Sequence, residues 1–219
     1  MQSGFDPYDF VGVIAPGAIV AFVSMLVFPE LQPIFLGDGF SVGALGLFVI
    51  VSFCIGHLVQ GLGNGLEKLV WYFFGGMPTN WVIKEKQTLI SSEQRALLAK
   101  RVRALISDRF SFAGLSSKEW YSITRQIYAH TRQRGLTDRI DTFNRNYGFL
   151  RGIATAFPVS ALLLAFSEHE PDYRYWVLLA LGFVAALYRM FRFGRTYARE
   201  LFVVFLALPV VSDPQGASK

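Results

Sequence analysis

Two long stretches without a single charge constrain this chain more than any other feature. Residues 11–28 contain no Asp, Glu, Lys or Arg and would form a helix about 27 Å long, close to the thickness of bilayer hydrocarbon. Pro16-Gly17 would break a helix in water but is tolerated in lipid, where a neighbouring helix can satisfy the freed carbonyl. Residues 41–66 are also free of charge and longer than a span needs. That helix is expected to continue to Trp71-Tyr72-Phe73-Phe74 at an interface and to stop at Gly75-Gly76-Met77-Pro78. The residues before the first stretch include Asp6 and no basic side chain, and no small-residue cleavage site follows it, so a retained span is expected rather than a removed signal.

A second pair of spans is shorter. Residues 152–167 and 175–188 are each bounded by arginine or acid. They reach span length if Arg151, Arg189 and Arg192 extend toward headgroups, with Tyr173, Tyr175 and Trp176 as an aromatic belt at the outer end. A last apolar run, 201–211, is too short to cross and is expected to lie in the interface or to pack on a soluble part. Hydrophobic residues are 53% of the chain and charged ones 17%, under the quarter usual for a soluble domain. One cysteine, Cys54, excludes an intrachain disulfide.

The expected fold class is therefore all-α: a polytopic membrane protein with four transmembrane helices, two N-terminal and two C-terminal, and a helical cytoplasmic lobe between the pairs. The corresponding segments are 1–76, 77–148, 149–200 and 201–219. Orientation follows from the loops. Glu30 and Asp38 lie between the first two spans, and Glu168, Glu170 and Asp172 follow Phe166, whereas the central segment and residues 189–199 are rich in arginine. The positive-inside rule then puts the central segment and both termini in the cytoplasm of an inner membrane.

Residues 77–148 carry thirteen basic and six acidic side chains, a net of +7 against +5 for the whole chain. Three helices are expected there. Ser91-x-x-Gln94 caps the first, with Leu98, Val102, Leu105 and Ile106 on one face. Ser116-Ser117 caps the second, whose core stripe is Trp120, Ile123 and Ile127 and which Gly135 ends. Thr137 caps the third, which begins at Asp138 and runs through Phe143 and Tyr147 into the third span, a continuity able to transmit movement to the membrane.

On the second of these helices Tyr121, Arg125, Tyr128 and Arg132 share a face away from the core stripe. Alternating rings and guanidiniums suit a nucleotide or oligonucleotide, rings stacking on bases and arginines pairing with phosphates. A solvated or inter-subunit face with Tyr-Arg stacking is the other reading. Arg189, Arg192, Arg195 and Arg199 form a second basic stripe, suited first to anionic lipid headgroups. His57, Gln60 and Asn64 share a face of the second span, as a pore lining or as bonds between helices. Gly61-x-x-x-Gly65 and Gly148-x-x-x-Gly152 allow close helix approach.

Catalysis has little support. His57, His130 and His169 are scattered, and no nucleophile motif, phosphate loop or HExxH occurs. No enzyme activity, cofactor or metal is expected. Two functions fit. One is an oligomeric membrane effector or pore set by an anionic ligand or partner on the basic lobe; four spans enclose too little, so homo-oligomerisation is required. The other is an anchor in the lipid bilayer that docks an acidic cytoplasmic partner protein.

The plan of two spans, basic helical lobe and two spans, with the opening Phe5-Asp6-Pro7-Tyr8-Asp9-Phe10, resembles the small multi-pass membrane effectors of bacterial anti-phage defence systems, such as the transmembrane component of Hailong-type systems. The resemblance implies pairing with a nucleotidyltransferase and a response to its nucleic-acid product. It assigns no individual residue a role.

Overall fold

The computed structural model describes residues 7–36, 41–84, 88–168 and 170–208. Asp38, His169 and the end of the apolar run at 201–211 lie outside the described residues, as do Phe5 and Asp6 of the opening motif. The described chain is helical, with no strand: α1 (Pro7–Val27), short α2 (Gln32–Leu36), α3 (Val42–Phe73), short α4 (Pro78–Trp81), α5 (Ser92–Leu105), α6 (Ser117–Gln133), α7 (Asp138–Ala165) and α8 (Tyr173–Ala207). Four of these, α1, α3, α7 and α8, are long and apolar enough to cross a membrane. The chain divides into two compact units, drawn from Met1–Gly75 with Thr142–Gly194 and from Gly76–Asp141 with Arg195–Lys219.

In the first unit α1 and α3 meet backbone to backbone. A Cβ on Gly17 would collide with the Ser52 carbonyl, and one on Gly56 with the Val13 carbonyl. Close approach of this kind recovers dispersion energy where lipid offers no hydrophobic drive between helices. Pro16 lies inside α1 and lacks an N–H, so the carbonyl of Gly12, four residues earlier, has no helical donor. Gln60 of α3 supplies it, Nε2 donating to Gly12 O at 3.1 Å. Gly152 of α7 leaves room for this amide, for a Cβ there would stand 2.6 Å from Gln60 Nε2. Farther along, Val20, Val59 and Ala156 close an apolar layer. Of the small-residue motifs, only Gly152 packs against neighbours, whereas nothing approaches a Cβ placed on Gly61, Gly65 or Gly148.

The second unit folds around Trp120, buried among Leu98, Val102, Ile127, Ile140 and Phe202. The capping box read at Ser91 and Gln94 forms, and the expected cap at Ser116 proves to be a second box with Glu119, each side chain answering the other's backbone N–H. In each box the serine hydroxyl holds the carboxyl of an acid beside it, Glu93 and Glu119, below the usual range. Gly135 takes a positive φ of 70° where α6 stops. Trp120 Nε1 donates to Thr79 O at 2.7 Å, and its ring stacks on Phe202 at 5.8 Å.

The end of α8 belongs to this core. Leu201, Phe202, Phe205 and Leu208 are buried in it, so the described part of the short apolar run is core and not an interfacial segment. Arg101 of α5 donates through Nη1 to Phe205 O at 3.0 Å and also to Leu208 O, satisfying the last carbonyls of the helix. The apolar stretch at 175–188 and the run from 201, read as separate segments, belong to one helix: α8 runs unbroken for 35 residues. Arg189, Arg192, Arg195 and Arg199 interrupt hydropathy without interrupting helix, because arginine is a good helix former and all four lie on one exposed arc.

Candidate functional site

The four residues singled out on α6 stand on one side of that helix, with graded exposure. At about 100° per residue, the buried stripe of Trp120, Thr124, Ile127 and Thr131 centres about 70° from Tyr128 and about 130° from Arg125. Accordingly Arg125 and Arg132 are exposed, Tyr121 is 62% exposed and Tyr128 is half-buried. Among the described residues neither arginine has an ion-pair partner. Tyr128 turns its hydroxyl to the first turn of α7 and donates to Asp141 Oδ1 at 2.8 Å. Burial first, then that hydrogen bond to the carboxylate, pushes the Tyr128 hydroxyl up, so the proton stays on the phenol. Arg132 opposes the shift from nearby.

Sequence reasoning missed two members of this group. Tyr197 of α8 lies within electrostatic reach of Asp141, Arg125 and Tyr121, and Asp141 itself faces the tyrosines. The site therefore draws on three helices: α6 for Tyr121, Arg125, Tyr128 and Arg132, α7 for Asp141, and α8 for Tyr197. Its chemistry comprises rings for stacking, two guanidiniums for anions, and one carboxylate held by a phenol. Only the spacing on α6 could be read locally.

Arg189, Arg192, Arg195 and Arg199 of α8 are all exposed, and three rest on aromatic rings: Arg189 over Phe193 at 5.6 Å, Arg192 over Tyr188 at 5.9 Å and Arg195 over Trp81 at 5.8 Å. Rings at this distance orient the guanidiniums without neutralising them, which suits phosphate headgroups.

The polar face of the second span separates into two kinds of residue. His57 and Asn64 are exposed on α3, His57 set edge-on to Phe53 at 4.6 Å. Gln60 faces inward and is engaged twice, donating to Gly12 O and accepting from Arg151 Nη2 at 3.4 Å. Arg151 had been expected to reach a headgroup; it instead pairs with Glu67 at 2.5 Å, the two side chains 21% and 17% exposed. Beyond them Trp71 Nε1 donates to the Tyr147 hydroxyl at 2.7 Å, which itself lies against Glu67. Gln60, Arg151, Glu67, Tyr147 and Trp71 thus form a polar seam between α3 and α7. A sequence signal for it exists: Glu67 and Trp71 are four apart, and so are Tyr147 and Arg151, the match expected of antiparallel helices.

An open cavity in the second unit is lined by Ser91, Ser92, Arg95 and Phe112. Arg95 is already committed there, its Nε donating to Val82 O at 2.8 Å and its guanidinium lying 4.3 Å over the Phe112 ring, so it ties down the preceding loop. Among the described residues no three His, Cys, Asp or Glu side chains stand close enough to hold a metal ion. No family model, curated protein or solved structure matches this chain.

Proposed function

We propose that this chain is a non-enzymatic membrane effector that works as an oligomer. In this reading the spans pair two and two, the basic helical unit faces the cytoplasm of an inner membrane, and a nucleotide, oligonucleotide or acidic partner on that unit sets the permeability of the assembly. A role in anti-phage defence follows from the resemblance in plan. One observation carries the reading: the Tyr121/Arg125/Tyr128/Arg132 face is completed by Asp141 and Tyr197, and these stand on α7 and α8, the same helices that carry apolar, span-length stretches. A ligand seated there touches two helices whose far ends belong to the first unit, which supports coupling between occupancy and the spans.

The alternative is an anchor or scaffold with no pore, docking an acidic cytoplasmic protein. It is favoured by Gln60, which is spent on bonds inside the protomer and leaves His57 and Asn64 alone as candidate lining. The two readings separate experimentally. Protein purified from its native host in mild detergent is assayed by absorbance at 260 nm and mass spectrometry for what accompanies it. Nucleotide lost on Arg125→Glu plus Arg132→Glu supports the gated effector; phospholipid alone refutes the nucleic-acid reading and leaves the scaffold. His57→Ala with Asn64→Ala changes flux only if these residues line a path.

A further inference from the structure

Asp141 brings a carboxylate from α7 to the edge of the basic face of α6, where Tyr128 holds it. Asp141 Oδ1 accepts from Tyr128, while Oδ2 has no hydrogen-bond or ion-pair partner among the described residues. Arg125 and Arg132 make no ion pair with it, yet Asp141 shares Tyr197 as a neighbour with Arg125 and Tyr128 as a neighbour with Arg132. A face that bound only phosphate would be weakened by such a group, since like charges repel at this range. It is useful only if the ligand brings a donor between its anionic groups. Resting on the proposed nucleic-acid reading of this face, we infer that Asp141 makes it selective for strands whose bases carry an exocyclic amino group.

The chemistry discriminates sharply. Adenine and cytosine each present an amino N–H₂ on the Watson–Crick edge, which a carboxylate accepts. Thymine and uracil have only one ring N–H, flanked by two carbonyl oxygens that a carboxylate repels. Tyr121, 62% exposed, offers the ring for stacking, which is indifferent to the base. Arg125 and Arg132 take the flanking phosphates, also indifferently. Tyr128 fixes the rotamer of Asp141 by its hydrogen bond, so the acceptor is preorganised. Selectivity therefore falls to one carboxylate, and affinity to the rest.

The test uses the full chain in detergent micelles and fluorescence anisotropy with 5′-labelled single-stranded tetramers dA4, dC4 and dT4. Wild type is expected to bind dA4 and dC4 about tenfold more tightly than dT4, the effect of one hydrogen bond to a charged group. Asp141→Asn keeps an oxygen for Tyr128 but replaces the second acceptor by a donor. It should weaken dA4 and dC4 while strengthening dT4, a reversal of preference that a merely structural loss would not produce. Equal binding of all three tetramers by wild type overturns the inference and leaves the anion-binding reading standing, provided Arg125→Glu plus Arg132→Glu abolishes it. A preference unchanged in Asp141→Asn also overturns it. Absence of binding to any tetramer overturns both the inference and the reading beneath it. Thermal unfolding of each variant separates lost selectivity from lost fold.

Discussion

Replacing Arg151 by Met leaves the Glu67 carboxylate in the α3–α7 seam with only Tyr147 as a partner. In the native protein these two charges pair at 2.5 Å with about four-fifths of each side chain withdrawn from solvent. Breaking a buried pair from one side is expected to cost about 3–5 kcal/mol. The residual exposure sets the expected loss here at the lower end, about 3 kcal/mol, roughly two powers of ten in the folded-to-unfolded ratio. Glu67→Gln together with Arg151→Met removes both charges, and the double variant should recover much of that loss because no orphan charge remains. The assay is a double-mutant cycle on reversible unfolding in mixed micelles, followed by tryptophan fluorescence, to which Trp71 of the same seam contributes beside the other three tryptophans. A coupling energy of at least about 1.5 kcal/mol is expected. Single losses that simply add within about 0.5 kcal/mol would refute the argument, showing the pair to be a surface contact that lipid or water replaces freely.

Three further outcomes follow from other contacts. Gln60→Leu leaves the Gly12 carbonyl without a donor and should destabilise the first unit by about 1–3 kcal/mol, whereas adding Pro16→Ala should restore stability by returning the helical N–H; melting curves of the single and double variants decide it. Gly56→Leu drives a side chain into the Val13 carbonyl, so α1 must leave α3, with a loss above about 3 kcal/mol seen as increased proteolysis of α1 in detergent. The raised Tyr128 hydroxyl gives stability that is complete below the ordinary tyrosine value of 10.0 and is lost as pH climbs from there through the folded-state value. Wild type should therefore lose more stability than Tyr128→Phe as pH rises above the ordinary tyrosine value, and phenolate absorbance at 295 nm should show one fewer late-ionising tyrosine in Tyr128→Phe.

Local features were legible in the sequence and remote ones were not. The helices over 11–28 and 41–66, the Ser91/Gln94 capping box, the cap at Ser116 and the continuity of α7 through Tyr147 could all be read, because each rests on periodicity or on contacts within four residues. The tolerance of Pro16 was expected, but its partner Gln60, 48 residues past Gly12, was not identifiable without the fold. Arg151 was misread for a physical reason. Beside a short apolar run an arginine can reach headgroups or find an acid, and only the antiparallel register of α3 and α7 decides for Glu67. The reach of α8 was underestimated because hydropathy fell at the arginines although helix propensity did not. In the candidate site, spacing exposed the four residues of α6, but Asp141 and Tyr197 arrive from other helices, and burial of Tyr128 depends on them. The interleaving of Gly76–Asp141 with Arg195–Lys219 in one unit is likewise a tertiary fact with no local signature.

The central claim, that an anionic ligand on the Tyr/Arg face sets the permeability of the assembly, is tested most directly by electrical recording. Purified full-length protein is fused into planar bilayers, and a mixture of short single-stranded oligonucleotides is added to one chamber, then to the other. The account predicts a conductance that changes by at least about tenfold, in either direction, on addition to one side only, and a response absent in Arg125→Glu plus Arg132→Glu. Bilayers that stay silent with and without oligonucleotide on both sides, or a conductance indifferent to both ligand and substitution, would contradict it.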